Sequence, residues 1–184
     1  MSIFRGFLAI DIGSNQNIIK LENEIKKTKA NIKLVEPENI HITIKFLGDT
    51  DEQLIDEIEN IIKKSVEKIK PFNISLKSIG VFPNTNYIKI IWIGIESGPE
   101  ISTITDNINE KLIDLGFKKE NRGFSPHLTI GRVKSVKNKD KILGIISNYK
   151  DFEFAKITVD SIKLKKSVLT EKGPIYTTLK DIKI

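Results

Sequence analysis

Apolar residues run through Phe4 to Asp11 in the order Phe-Arg-Gly-Phe-Leu-Ala-Ile-Asp, which predicts a strand. Ser14 follows as an N-cap for a helix through about Lys29. A second strand is predicted from His41 to Leu47, closed by Gly48. Thr50-Asp51-Glu52-Gln53 then has the form of a capping box. Leu54, Ile55, Ile58, Ile61 and Ile62 follow at helical spacing, for a helix running to about Ile69 and stopping before Pro71. Phe72 to Val81 and Tyr87 to Ile95 predict strands around the turn Pro83-Asn84-Thr85-Asn86. A helix from about Pro99 to Leu115 follows, ended by Gly116. The last third predicts a strand from His127 to Val133, a helix from Lys139 to Tyr149 with Asn138 as N-cap, and strands near Phe152 to Val168 and Ile175 to Ile182.

The order of elements repeats. Two segments share the pattern His-x-Thr-x with apolar x, His41-Ile42-Thr43-Ile44 and His127-Leu128-Thr129-Ile130, offset by 127 − 41 = 86. Adding 86 to Phe4–Asp11 lands on Ile90–Ser97, also strand-like, and helix starts agree as well: Ser14 maps to Glu100, and Asp51 to Lys137, next to the N-cap Asn138. Residue identity between the halves is poor outside the two motifs, so the repeat is one of element order. Alternating strands and helices permit a parallel doubly wound sheet, but the hairpin around Pro83 and the polar–apolar alternation favour antiparallel sheets backed by helices. The expected architecture is therefore α+β and bilobal. It is a pseudo-twofold duplication in which two antiparallel sheets face a central cleft with helices outside. With no linker in view, residues 1–184 read as a single bilobal catalytic domain with approximate sequence halves 1–88 and 89–184.

At 184 residues and 39% apolar content, the chain can bury a substantial core. It has no cysteine, which excludes disulfides, thiolate zinc sites and a cysteine nucleophile together. No apolar run approaches the roughly 20 residues that span a bilayer, and Met1 to Arg5 lead straight into a strand pattern rather than a signal peptide, so the expectation is a cytoplasmic protein without a membrane partner. A net charge of +6 favours an anionic partner such as nucleic acid, although Lys64, Lys68 and Lys70 lie among acidic neighbours on a predicted helix face.

Those two histidines are the only ones in the chain. On a strand, alternate side chains share a face, so each His points the same way as its Thr while Ile42, Ile44, Leu128 and Ile130 point into a core. A lone histidine on a half-buried strand is more often structural than catalytic, but two in matching patterns at matching places in a repeat argue for one shared site. Imidazoles titrate near pH ~6.5, so one can accept a proton while the other donates. The threonine hydroxyls suit the oxygens of a bound phosphate. A metal site is the competing chemistry, but two histidines are too few ligands. Glu38 has the wrong strand parity with His41, and Asp49 would sit about 26 Å along the strand at ~3.3 Å per residue. The expectation is metal-independent phosphoryl transfer with no cofactor.

The chain resembles the two-histidine phosphoesterases, and specifically the bacterial and archaeal RNA 2',3'-cyclic phosphodiesterases also called 2'-5' RNA ligases. The resemblance is carried by Arg5 to Asp11, by Pro37 to Gly48 with the first motif, by Phe124-Ser125-Pro126 and His127 to Val133 with the second, and by Gly173-Pro174-Ile175-Tyr176. It implies two lobes around a cleft, between which strands can cross. It also implies opening of a terminal 2',3'-cyclic phosphate on RNA to a 2'-phosphate, with reversible 2'-5' linkage formation. Carried onto this chain, His41 is the acid and His127 the base. The implied partner is RNA or a nucleotide with a 2',3'-cyclic phosphate end, and the protein is expected to act as a monomer. A non-catalytic nucleotide- or RNA-binding module, or a phosphodiesterase for another cyclic or 2'-5' linked nucleotide, stays open.

Several supporting residues complete the reading. Arg132 matches an Arg that follows the second motif in the resembling proteins, where it neutralises phosphate. Its odd offset of five from His127 puts it on the opposite face unless Gly131 marks a bulge or the strand ends there, with plain surface exposure as the alternative. Lys45 has the right parity to line the cleft with His41 and Thr43, or is an ordinary solvated lysine. Arg5 and Phe7 share a strand face for RNA backbone and base contacts, with a core position equally open for Phe7. Tyr176 brings a hydroxyl near the cleft or packs at a strand start. Trp92, in the apolar run Ile90 to Ile95, reads as core.

Overall fold

Residues 2–119, 125–135, 137–171 and 173–184 are described by a computed structural model; Phe124, just before the second motif, lies outside them. Nine strands are seen among the described residues: β1 (Ile3–Asp11), β2 (Ile32–Leu34), β3 (His41–Asp51), β4 (Phe72–Asn84), β5 (Tyr87–Ser97), β6 (His127–Val133), β7 (Glu153–Val159), β8 (Ser161–Thr170) and β9 (Gly173–Lys183). The helices are α1 (Gln16–Lys27), α2 (Ile55–Val66), α3 (Glu100–Leu112) and α4 (Lys139–Asn148). Where the sequence predicts two facing sheets, the strands join into one antiparallel sheet ordered β7-β4-β5-β6-β3-β1-β8-β9, with β2 also paired to β6.

Its two four-stranded parts meet where β6 pairs with β3, through the single register pair Ile42↔Leu128. Both side chains of that pair are completely buried, so the seam between the parts is closed by hydrophobic burial rather than by a long hydrogen-bonded ladder. Beyond the pair, β2 takes over the edge of β6, with Ile32, Lys33 and Leu34 opposite Val133, Arg132 and Gly131. The C-terminal strands β8 and β9 join β1, while β4 from the first half of the sequence pairs with β5 and β7.

The helices cross over in the same way. α1 follows β1 but packs against α4 and β7; α3 follows β5 but packs against α2 and β3. Asn17 on α1 donates to the Phe154 carbonyl of β7 at 2.9 Å, which anchors the exchange. Ile18, Leu21 and Ile25 of α1 and Ile101, Ile104, Ile108 and Leu112 of α3 bury the predicted helical stripes.

Cap chemistry shifts several helix ends. Asn15, not Ser14, caps α1, accepting from the backbone N–H of Asn17 and Ile18. Asp51 accepts from Gln53 N–H, so the capping-box segment opens a short 3-10 turn, Glu52–Leu54, before α2. Asn138 makes no side-chain cap; its amide donates to the Thr28 carbonyl instead. The predicted strand from Phe152 to Val168 is two strands, broken at Asp160.

Candidate functional site

The Ile42↔Leu128 pair places both motifs at once. One step to either side sets His41 against Thr129 and Thr43 against His127. Since Ile42 and Leu128 both point into the core, all four polar side chains share the opposite face. Side chains diagonal across an antiparallel pair lie on the order of 7–8 Å apart, which leaves a space between the two imidazoles that a phosphate group can fill.

Each imidazole is fixed by its backbone. His41 Nδ1 lies 2.6 Å from the Asn39 carbonyl, and His127 Nδ1 lies 2.8 Å from the Ser125 carbonyl. A carbonyl only accepts, so Nδ1 carries the hydrogen in both rings and the neutral ring keeps its lone pair on Nε2. His41 Nε2 also meets the Thr43 hydroxyl at 3.1 Å. Burial holds the His41 imidazolium below its ordinary range; the Asn39 hydrogen bond opposes the shift, and Lys165 adds to it.

Matched β-bulges determine which neighbours join the site. Along β1–β3 the register passes from Leu8↔Lys45 to Ala9↔Thr43, leaving Ile44 as an extra residue. Along β5–β6 it passes from Ile91↔Gly131 to Trp92↔Thr129, leaving Ile130 extra. Adding 86 to 44 gives 130, so the bulges occupy equivalent places. Each bulge reverses the parity of the residues that follow.

Arg132 therefore returns to the face of His127 and Thr129, through a bulge whose extra residue is Ile130 rather than the neighbouring Gly131. Lys45 turns away from the face of His41 and Thr43, contrary to the parity reading. It is 2% exposed and donates to Asn109 Oδ1 at 2.6 Å and to the Lys118 carbonyl at 3.0 Å. Phe46 takes its place on the face of His41 and Thr43, 66% exposed, with its ring 6.5 Å from that of Phe7. Sequence parity missed Phe46; the signal was its offset of 86 from Arg132.

Phe7 is buried beneath the site, its ring 5.2 Å from His41 and 4.9 Å from Tyr176. Tyr176 stands edge-on to His41 at 5.3 Å. Burial raises the Tyr176 phenol against the pull of Arg132 and Arg5, so both guanidinium groups bear on this end of the site.

On the other side, His127 meets Phe82 at 5.0 Å and Trp92 at 6.4 Å. Trp92 is thus not core: opposite Thr129, it lies half-buried on the face of His127 and Thr129, flat against Gly80. A methyl at Gly80 would sit 2.1 Å from the Trp92 ring. Gly80→Ala should therefore swing the indole away from His127. The expected result is a changed fluorescence spectrum for the one tryptophan and a kcat/KM lower by about ten- to a hundredfold, with native far-ultraviolet circular dichroism retained.

Among the described residues, no three His, Cys, Asp or Glu side chains group as a metal site, and no helix is long and apolar enough to cross a membrane.

Comparison with known proteins adds relatives to this geometry. Residues 7–184 match the family described as the AKAP7 2'5' RNA ligase-like domain. A Methanocaldococcus jannaschii protein named RNA 2',3'-cyclic phosphodiesterase is 49% identical over 179 residues, covering 96% of this chain and 99% of that one. A protein of the same name from Methanothermobacter thermautotrophicus is 38% identical, covering 95% and 96%. The fold matches that of Escherichia coli LigT complexed with 3'-AMP, with a TM-score of 0.79 at 18% identity over 100% of this chain and 99% of that one. A Thermus thermophilus structure matches with a TM-score of 0.81 at 20% identity over 97% of each chain.

Proposed function

The chain belongs to the AKAP7 2'5' RNA ligase-like family, and on that premise we propose that it is a metal-independent phosphodiesterase that opens terminal RNA 2',3'-cyclic phosphates to 2'-phosphates. The observation that carries this reading is the Ile42↔Leu128 pair, which sets two tethered imidazoles and two hydroxyls on one strand face. Residues 1–184 work as one bilobal, monomeric unit in the cytoplasm, its two sides built by strands and helices that cross the sequence midpoint.

In the forward reaction His127 Nε2 takes a proton from water, whose oxygen bonds to phosphorus. The bond from phosphorus to the 3'-oxygen breaks as His41 gives that oxygen its proton. One water is consumed, and the proton held by His127 replaces the one lost from His41 through solvent. Thr43, Thr129 and Arg132 hold the non-bridging oxygens, with the guanidinium offsetting their charge. Phe46 offers a ring face to the terminal base, with Phe7 and Tyr176 behind it and Arg5 toward the RNA backbone. A 5'-hydroxyl in place of water gives 2'-5' ligation by the same proton transfers.

The test is hydrolysis of a 2',3'-cyclic nucleotide and of a cyclic-phosphate oligonucleotide in excess chelator. Turnover undiminished by chelator, with a 2'-phosphate product, is expected. A 3'-phosphate would overturn the assigned leaving oxygen, and tight binding without turnover would make the chain a binding module.

A further inference from the structure

Strand pairing superimposes the two sides of the site and exposes where they differ. Asp11 is the register partner of His41, and Gly94 that of His127. This gives β1 and β5 an offset of 94 − 11 = 83 rather than 86. Carried onto the next strands, Lys163 opposite Ala9 corresponds to Gly80 opposite Trp92, and Lys165 opposite Phe7 corresponds to Phe82 opposite Ile90. The surroundings of His127 are thus uncharged, with Gly94, Gly80 and Phe82, at the three positions where those of His41 hold a carboxylate and two ammonium groups.

Those charges are organised. Asp11 accepts from Lys165 at 2.6 Å and from Lys163 at 3.0 Å, and Lys165 is only 5% exposed. Burial by itself would raise the Asp11 carboxyl, but the two lysine hydrogen bonds outweigh it and hold it below the usual carboxylate range. Asp11 and Lys163 remain partly exposed, but burying the Lys165 ammonium rarely stabilises a fold more than apolar packing does, and Phe82 shows that apolar packing suits the equivalent place. A use outside stability follows.

We propose that Asp11, Lys163 and Lys165 form a positioning unit that tells the two matched histidines apart and sharpens His41 as the proton donor. The inference rests on the reading of His41 as the acid. Lys165, the buried ammonium of the unit, bears on His41 more strongly than the opposing Asp11 carboxylate, and a fixed cation makes a neighbouring imidazolium a stronger acid. Asp11 is occupied by the lysines, so His41 keeps its tether to Asn39 rather than pairing with the carboxylate. The anionic substrate then supplies the field that lets His41 take up its proton. The other groups on this side are Tyr176 of β9, with Arg5 of β1 and Arg132 of β6 bearing on it, and the carboxylates of Asp181, 3.8 Å from Lys163, and Asp160, both of which act on Lys163.

The experiment is a ring-nitrogen NMR titration, which two histidines make simple to assign through His41→Gln and His127→Gln. Lys165→Met should raise the His41 midpoint and Asp11→Asn should lower it, each by about 0.5 to 1 pH unit, while His127 stays in place. Lys163→Gln, at a more exposed position, should shift His41 upward by less and serves if Lys165→Met does not fold. Turnover by Lys165→Met should fall about three- to tenfold as the donor weakens. Shifts of one sign in both variants, an unmoved His41, an equal movement of His127, or unchanged turnover would each overturn the proposal. Wild type that titrates in this way but opens no cyclic phosphate would instead overturn the functional reading.

Discussion

His41→Ala and His127→Ala should each lower kcat for a 2',3'-cyclic phosphate by about 10² to 10⁴, the range for loss of a positioned acid or base. The double variant should fall little further than the worse single one. On the proposed mechanism acid and base act in one transition state, so removing either forfeits most of what the pair contributes. KM should change far less than kcat, since Thr43, Thr129 and Arg132, the proposed phosphate contacts, remain. His→Gln at either position keeps a polar group near the carbonyl tether but cannot relay a proton, so it should be as inactive as Ala while melting near wild type. Undiminished hydrolysis by any of these variants would remove the acid–base assignment. Additive losses in the double variant would mean that the rings act in separate steps.

The two motifs were legible because side-chain alternation on a strand is local: His41 and Thr43, or His127 and Thr129, need only an unbroken pleat of three residues. Parity carried further fails. Ile44 and Ile130 each insert one residue, and nothing in the alternation of Ile44-Lys45-Phe46 reveals that Lys45 turns inward and Phe46 outward. Gly131 hinted at the second bulge, so Arg132 was recoverable; Lys45 at the equivalent place of β3 carries no such hint. Trp92 was hidden for another reason. An apolar run from Ile90 to Ile95 does not say which face is core, and the glycine that makes room for the indole lies on a different strand. β2 is three residues long, too short to show a period. The exchange of α1 and α3 between the two parts of the sheet is a tertiary choice with no local signature, because either stripe of isoleucines would serve either surface.

Leu128→Ala should do two separable kinds of damage. Leu128 is fully buried and pairs with Ile42 on one side and Ile93 on the other, so truncation leaves a cavity at the seam and should cost about 2–5 kcal/mol in denaturant unfolding. That seam also fixes the distance between the motifs, since Ile42↔Leu128 is the one register pair joining β3 to β6 among the described residues. Loosening it lets His41 drift relative to His127, and misplacement of about an ångström can cost a hundredfold in rate. Turnover of a cyclic nucleotide, measured well below the unfolding midpoint, should therefore fall by roughly ten- to a hundredfold with little change in KM. Leu21→Ala is the control: an equally buried leucine on α1, away from the seam, it should lose comparable stability while keeping near-normal turnover. Equal losses of turnover in the two variants would mean that rate follows stability in general. A loss confined to Leu128→Ala would mean that one hydrophobic pair holds the acid and the base within reach of the same phosphate.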